Sequence, residues 1–441
     1  MPSGCYESWG GMGAHDTPVE ILRWRCGEIP GGDDRPPHVL PYGNGRSYGD
    51  VCLNDQGGVI DCRGLDRFIS FDPSAGLLRC EAGVLVADIL DLIVPRGWFL
   101  PVVPGTRWIT VGGAIANDIH GKNHHRVGTI GCHVQRLELL RCDGIRRVCS
   151  RDENPDWFRA TVGGLGLTGV ITWAEIRLKR IPGIDIDCES IRFERPADFF
   201  ALAEESDRSF EYTVAWVDAL KTGKGAGRGL FFRGNHGDQA AATASAGRPE
   251  AKGFSRLPRV RVVTRPAVRA FNELYYRRQI RKRRRYKSGY RPFFFPLDAI
   301  GGWNRLYGPG GLLQYQFVVP MADAEDVVSE VLALAARSSS TPFLSVLKVF
   351  GDRQSPGLLS FPSAGATMAL DFPHLGDATL KLLDGFDRLV GAAGGSIYPA
   401  KDARMPAAVF NQCFPGWHEM VPYLDPGISS SFWRRVTGSS V

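Results

Sequence analysis

Two glycine-rich turns are the part of this chain best suited to chemistry. The first reads Pro41-Tyr-Gly-Asn-Gly-Arg-Ser-Tyr-Gly-Asp50, and the second Pro104-Gly-Thr-Arg-Trp-Ile-Thr-Val-Gly-Gly-Ala-Ile-Ala-Asn-Asp-Ile-His-Gly-Lys-Asn-His-His125. Glycine lacks bulk where a backbone must approach a ligand, and its N–H remains a donor. Two such turns in one domain therefore suit a large phosphate-bearing cofactor held by main chain. Two ordinary loops would use the same residues, since Gly and Asn serve any tight turn. The first turn is neither G-x-G-x-x-G nor a Walker loop, because no G-K-[ST] follows it. His120, His124 and His125 at i, i+4 and i+5 would place two imidazoles on one helix face. Asp118 is the one carboxylate beside them and no cysteine joins at ligand spacing, so no metal is expected.

The surrounding elements make the pair of turns more specific. Val59-Ile-Asp61 and Leu77–Ala82 read as short strands, with turn residues at Asp72-Pro73 and Gly76. Val84–Val94 carries an apolar face at helical spacing, and the strict alternation of Ile171–Leu178 predicts a half-buried strand. Pro182-Gly183 closes this first region. Beyond it, Thr213–Val217, Gln314–Val319 and Thr367–Phe372 read as strands and Ala324–Ala336 as a helix. Residues 235–256, rich in Ala, Gly and Ser, read as a mobile loop.

Composition bounds the class. A chain of 441 residues, 44% apolar, is long enough for two or three domains with buried cores. No run of eighteen apolar residues exists, so no spanning helix is expected. Residues 1–10 lack the basic start and apolar stretch of a secretory signal. The ten cysteines contain no C-x-x-C pair and read as reduced thiols rather than a disulfide framework or zinc site. These features predict a cytoplasmic globular enzyme. The net charge of +6 is concentrated in Arg277–Lys287, which holds eight cations in eleven residues. One account is a solvated helix face. A nucleic-acid contact would call for interleaved aromatics and a matching fold motif, and neither is present. The third account is an anionic membrane surface, where each cation contributes about 1 kcal/mol.

Several short motifs then recur in a recognisable order. Gly45–Asp50, Pro104-Gly-Thr106, Thr110-Val-Gly-Gly113, Asp118–His125, Ala160–Gly164, Gly166–Gly169, Pro296-Leu-Asp298, Trp303–Gly308, Leu313–Phe317, Leu347–Gly351, Asp371-Phe-Pro373 and Tyr398–Arg404 together resemble the vanillyl-alcohol oxidase type of FAD-dependent oxidoreductase. Within that superfamily they are most similar to the decaprenylphosphoryl-β-D-ribose 2′-oxidases, the flavoprotein half of the epimerase that makes the arabinose donor of cell-wall polymers. The resemblance spans about residues 38–430. It implies an α+β, two-domain PCMH-type FAD-binding fold with an antiparallel-sheet substrate domain. On this reading residues 1–37 are an N-terminal lead and 38–182 the FAD domain. Residues 183–395 are the substrate or cap domain with its basic segment, and 396–441 return to the FAD domain.

The resemblance also implies roles. Pro41, Gly43, Asn44, Gly45, Arg46, Ser47, Tyr48 and Gly49 would hold FAD from the first turn. Gly105, Thr106, Thr110, Val111, Gly112, Gly113, Asn117, Asp118 and His120 would do so from the second, with Val170, Ile171 and Tyr398 completing the wall. The N–H groups of Gly43–Ser47 and Thr110–Gly113 would cradle the pyrophosphate. Relatives with covalent flavin attach it to a histidine at the position of Arg46, or to a cysteine just ahead of T-V-G-G, where Trp108 and Ile109 stand here; the flavin is expected to be non-covalent. Tyr48, Lys401 and His120 would meet the substrate beside the flavin. Lys401 would either polarise the alcohol as a cation or take its proton as a neutral amine. Lys122, Gln314, Gln316, Lys348 and Lys401 would bind substrate.

The substrate implied is a polyprenyl-phosphoryl ribose oxidised at its 2′-hydroxyl. A separate NAD(P)H-dependent short-chain reductase would complete the epimerisation. Peripheral contact with the inner face of the plasma membrane is implied, and no nucleic acid. One departure bears on the pocket: the mycobacterial enzymes carry Cys, and Asn two positions earlier, where this chain has Ala369 and Thr367. An aldonolactone or alditol oxidase of the same fold, acting on a soluble polyol, is the alternative.

Overall fold

The computed structural model of the protein describes residues 3–13, 15–29, 36–238 and 258–438. The stretch expected as a mobile loop over 235–256 lies for the most part outside the described residues. Three large sheets organise the rest, with a two-stranded pair of Trp98–Phe99 and Lys179–Arg180 beside them. A four-stranded sheet places Ser3–Tyr6, His15–Ile21, Gly58–Asp61 and Val39–Tyr42 side by side in that order. The stretch read as a lead thus supplies two strands, because Val19 pairs in register with Val59 and buries between the two chain segments. A five-stranded antiparallel sheet contains Leu77–Glu81 and Val170–Arg177 at its centre. Helix Val86–Ile93 packs its Val86, Ile89, Leu90 and Ile93 into the core of this sheet.

The third sheet has eight antiparallel strands in the order Arg283–Gly289, Asp185–Phe193, Gly229–His236, Tyr212–Val217, Ser345–Phe350, Gly365–Pro373, Leu312–Val319 and Ser396–Ile397. Its strands alternate, so each face is set by sequence parity. Leu313, Tyr315 and Phe317, with Met368, Leu370 and Phe372, bury in one core with residues of helices Pro196–Asp207, Ala324–Arg337 and Asp377–Ala392. Helix Ala324–Arg337 contributes Val327, Val328, Val331, Leu332 and Ala335, one apolar stripe. Each large aliphatic so buried is worth about 1.5–3 kcal/mol. Gln314, Gln316, Thr367, Ala369 and Asp371 have the opposite parity and lie away from the helices.

The basic run is split: Arg277 ends helix Arg265–Arg277 and residues 278–282 form a loop. Arg283–Gly289 is the edge strand of the large sheet, paired with Asp185–Phe193. Arg283 and Arg285 both reach Glu189, and Lys287 lies near Asp187 across the ladder. Charged side chains on an edge strand block pairing with another chain.

After Ile397 the chain crosses back to the first region. The Tyr48 N–H donates to the Ala400 carbonyl at 2.9 Å and the Val39 N–H to the Gly427 carbonyl at 2.9 Å. Arg435 binds Asp50 at 2.7 Å and Asp402 at 3.0 Å. The segment is thereby tied to the first glycine turn by main chain and by ion pairs.

Candidate active site

A cavity of about 1250 Å³ lies between the three sheets. Its walls take Pro41–Tyr48 from the first turn, Gly105, Thr106, Thr110, Gly112, Gly113, Asn117, His120 and Lys122 from the second, and Val170 and Ile171 from the five-stranded sheet. Gln314, Gln316, Lys348, Thr367 and Ala369 come from the polar face of the eight-stranded sheet, and Tyr398 and Lys401 from the returning segment. Residues more than 350 positions apart in sequence meet here.

The first turn is suited to hold an anion. The N–H groups of Asn44, Gly45, Arg46 and Ser47 have no protein acceptor among the described residues. These half-buried donors face the cavity, where a ligand or water takes them as partners. The second turn differs from expectation. The Val111, Gly112 and Gly113 amides already donate to Val84 carbonyl, Ala82 carbonyl and Thr110 Oγ1, at 2.9, 2.7 and 3.2 Å. Hence Val111, Gly112 and Gly113 lend no such free amides, while Thr110, Gly112 and Gly113 shape the wall. Three further residues expected at the cofactor stand off the cavity. Val111 is buried in the core of the five-stranded sheet. Gly49 is needed for chain approach, because a Cβ there would stand 1.7 Å from the Asp402 carbonyl oxygen. Asp118 is fully buried and accepts from the Gly131 N–H at 2.9 Å and from the hydroxyls of Ser355 and Ser360. It ties two loops together.

Other features fit a flat, extended cofactor. A Cβ on Gly105 would meet no atom within 4 Å and would project into open space at the cavity wall. Asn117 Oδ1 is buried without a partner, while its Nδ2 donates to the Gly113 carbonyl. Arg46 lies over the Trp9 ring at 4.3 Å and its Nε donates to the Trp108 carbonyl at 3.3 Å. Burial holds its guanidinium below the usual range, offset by Asp298.

The polar end of the cavity gathers three lysines. Lys401 Nζ sits 3.8 Å from the centre of the Tyr48 ring. Lys348 Nζ is 3.1 Å from His120 Nδ1, and Gln316 Nε2 is 2.9 Å from His120 Nε2. Lys122 Nζ donates to the Phe294 carbonyl at 2.9 Å. Burial lowers Lys122 to about 8. Burial, then the charges of Lys122 and Lys401, lower Lys348 to about 7. Burial lowers Lys401 to about 8, against the pull of Asp371. Asp371 is in turn raised to about 7 by burial, which Gln314 and Lys401 oppose. His120 is held well below its ordinary value by burial and the neighbouring cations, so it is a neutral ring. The other two histidines serve locally: His124 packs on Phe350 with ring centres 4.3 Å apart, and His125 Nε2 meets the Phe210 carbonyl at 3.2 Å.

Asp371 and Tyr307 were not singled out as site residues from sequence. Gln314 donates to Asp371 Oδ1 across the ladder, and burial, with the nearby Asp371 carboxylate adding to it, raises the Tyr307 phenol well above its ordinary value. Parity would have found Asp371, because Thr367, Ala369 and Asp371 share one strand face. Trp9, which lines the cavity beside Arg46, had no local signal.

An FAD binding domain model matches residues 34–150, the region holding both turns. The chain is 36% identical to decaprenylphosphoryl-β-D-ribose oxidase of Mycolicibacterium smegmatis over 90% of its own length and 88% of that protein. It is 33% identical to an uncharacterised Streptomyces coelicolor protein over 79% of this chain and 98% of that one. Mouse L-gulonolactone oxidase is 31% identical over 30% of each chain. With the free amides, the open side at Gly105 and the lysine cluster already in place, the whole-length match decides the family: the chain belongs to the decaprenylphosphoryl-β-D-ribose oxidases and is an FAD-dependent oxidoreductase acting on a CH–OH group.

Proposed function

We propose that the protein oxidises the 2′-hydroxyl of a polyprenyl-phosphoryl-β-D-ribose to the 2-keto sugar. The observation that carries this reading is the charge balance of the cavity. Lys122, Lys348 and Lys401 stand half-buried at one end of the cavity, and the carboxylate that acts on them is Asp371, which lies behind Gln314 and pulls on Lys401. Buried cations without counter-charge are costly, and a phosphoryl group supplies what is missing. Apolar Phe271, Trp303 and Ile300 line the same cavity and suit an isoprenoid chain. A neutral polyol or lactone would leave the lysines uncompensated.

Bound FAD supplies the hydride acceptor. Asn44–Ser47 would hold its pyrophosphate, and Asn117 and Tyr398 would line its ring system. Lys401 as a neutral amine takes the hydroxyl proton at Nζ, and the Tyr48 ring beneath it keeps that amine out of water. Lys348 and Lys122 hold the phosphate. His120, which cannot carry charge here, orients Lys348 through Nδ1 and meets Gln316 through Nε2. Gln314 holds Asp371 in place, and the carboxylate balances charge on Lys401. Arg46 and Trp108 stand where covalent relatives attach flavin, so the flavin is held non-covalently.

The return reduction belongs to a separate NAD(P)H-dependent short-chain reductase, and the protein sits peripherally at the inner face of the plasma membrane, where a polyprenyl substrate is anchored. Among the described residues no helix is long and apolar enough to cross a membrane. The test is anaerobic reduction of the bound flavin. Bleaching by polyprenyl-phosphoryl ribose, and not by simple polyols or aldonolactones, is the expected result; bleaching by the soluble compounds alone would overturn it.

A further inference from the structure

Exposed apolar side chains and uncompensated cations share the rim of the cavity. On helix Arg265–Arg277 the residues Val268, Asn272 and Tyr276 bury at i, i+4 and i+8. Phe271, Leu274 and Tyr275, with Arg278 just beyond the helix, form another face at i, i+3, i+4 and i+7. Phe271, Tyr275 and Arg278 line the cavity, whereas Leu274 is 73% exposed beside them. Ile280, in the loop that follows, is 88% exposed. Val260 and Val262 are more than half exposed, and are joined by backbone hydrogen bonds to Arg305 and Leu306 of the cavity wall. Ile300 also lines the wall and is part-exposed.

The cations divide in two. Arg283, Arg285 and Lys287 face Glu189, Glu205 and Asp187, and Arg277 pairs with Glu273. Arg278, Arg281, Lys282 and Arg284 have no carboxylate partner among the described residues. Arg278 lies over Tyr275 at 3.8 Å and Arg284 over Tyr286 at 5.3 Å, and both rings line the cavity. Edge-strand parity thus leaves Arg284 on the cavity side while its neighbours are neutralised on the other.

We infer that this rim is the membrane-docking surface: Leu274 and Ile280 insert among acyl chains, Arg281, Lys282 and Arg284 meet anionic headgroups, and the cavity mouth opens onto the bilayer. The occupant is a lipid surface because the patch joins large aliphatic tips to cations that lack counter-charge. That combination suits an interfacial helix and its flank. Nucleic acid would use the cations and leave the aliphatic tips in water. The inference rests on the proposed polyprenyl substrate, since it gives that substrate a path into the cavity without leaving the lipid.

Two measurements separate the two proposals. The holoenzyme is sedimented with vesicles of phosphatidylcholine alone or mixed equally with phosphatidylglycerol. Flavin reduction by a short-chain phosphoryl ribose is followed without lipid. Wild type is expected to pellet with the mixed vesicles, less so as salt rises. Leu274→Asp with Ile280→Asp should lower partitioning on the order of a hundred-fold, and Arg281→Glu with Arg284→Glu should abolish its salt dependence. Neither pair lines the cavity, so flavin reduction should be unchanged in both. Wild type remaining in the supernatant, the aspartate pair pelleting as wild type does, or binding to duplex DNA in place of vesicles would each overturn the docking surface. Failure of the phosphoryl ribose to bleach wild-type flavin would instead overturn the substrate reading and leave the vesicle result standing.

Discussion

Lys401 lies over the face of Tyr48, its Nζ 3.8 Å from the ring centre, although the two residues belong to opposite ends of the chain. The Tyr48 N–H also donates to the Ala400 carbonyl at 2.9 Å. An ammonium on an aromatic face is stabilised by the ring quadrupole, and burial opposes that charge. Lys401 is held between these effects with its proton easily lost near neutral pH, which is the property required of a base.

Removing that amine should stop chemistry while sparing cofactor binding. Lys401→Ala is expected to lower the rate of flavin reduction about 10²–10⁴-fold, the span typical of a positioned base. FAD content should stay at wild-type level. Stopped-flow bleaching by substrate measures the first and the absorbance spectrum of purified protein the second; ordinary bleaching would exclude Lys401.

The pH dependence follows from the same assignment. A base acts deprotonated, so flavin reduction at saturating substrate should rise with pH through about 8, the value to which burial lowers Lys401. Lys348 and Lys122 act as cations, and they lose charge through about 7 and about 8. KM should therefore increase over the same range. A reduction rate that falls as pH rises would show Lys401 acting as an ammonium.

Lys348→Met should separate stability from affinity. The free lysine is depressed from 10.5 to about 7, so the unfolded chain binds more protons than the folded one between those values. Its contribution to stability is full above 10.5 and is lost as pH falls toward 7. Replacing it with Met should leave the ligand-free protein at pH 7 as stable as wild type or more so, by thermal melt. KM for the phosphoryl substrate should rise roughly 10- to 100-fold, the equivalent of one charge-assisted hydrogen bond of about 1.5–3 kcal/mol. A lower melting temperature with unchanged KM would contradict this assignment.

Non-covalent flavin can be checked directly. Acid or heat should release all FAD into the supernatant, because Arg46 and Trp108 cannot form the bond. Yellow fluorescence migrating with denatured polypeptide on a gel would refute this.

Two glycines of the site should respond in opposite ways. Gly49→Ala drives a methyl against the Asp402 carbonyl and should destabilise the fold by about 1–3 kcal/mol, as overpacking does. Gly105→Val adds side chain into open space at the cavity wall, so the melting temperature without FAD should hold while FAD affinity falls. Equal melting shifts in both variants would mean that Gly105 is packed rather than facing cofactor.

Residue order alone determined a good deal of this protein. Strand alternation sorted Gln314 and Gln316 from Leu313, Tyr315 and Phe317, and the helix at Ala324 was legible from its apolar period, because both signals are local. The first glycine turn could be read as an anion cradle for the same reason. Only the tertiary structure decided which amides are free: those of Val111, Gly112 and Gly113 are consumed by carbonyls of Val84 and Ala82 and by Thr110, a loss that depends on how one strand end docks. It also placed the second half of the basic run on an edge strand, where parity and the carboxylates of Glu189 and Asp187 neutralise Arg283, Arg285 and Lys287 and leave Arg284 on the other face. Contacts between segments far apart in the chain set Asp118, Gly49 and Val111 behind the cavity lining, bring Trp9 into it and place Asp371 and Tyr307 just behind Gln314. Burial, which sets the lysine charges on which the chemistry turns, depends on the packing of all three sheets around one cavity, and no single segment encodes it.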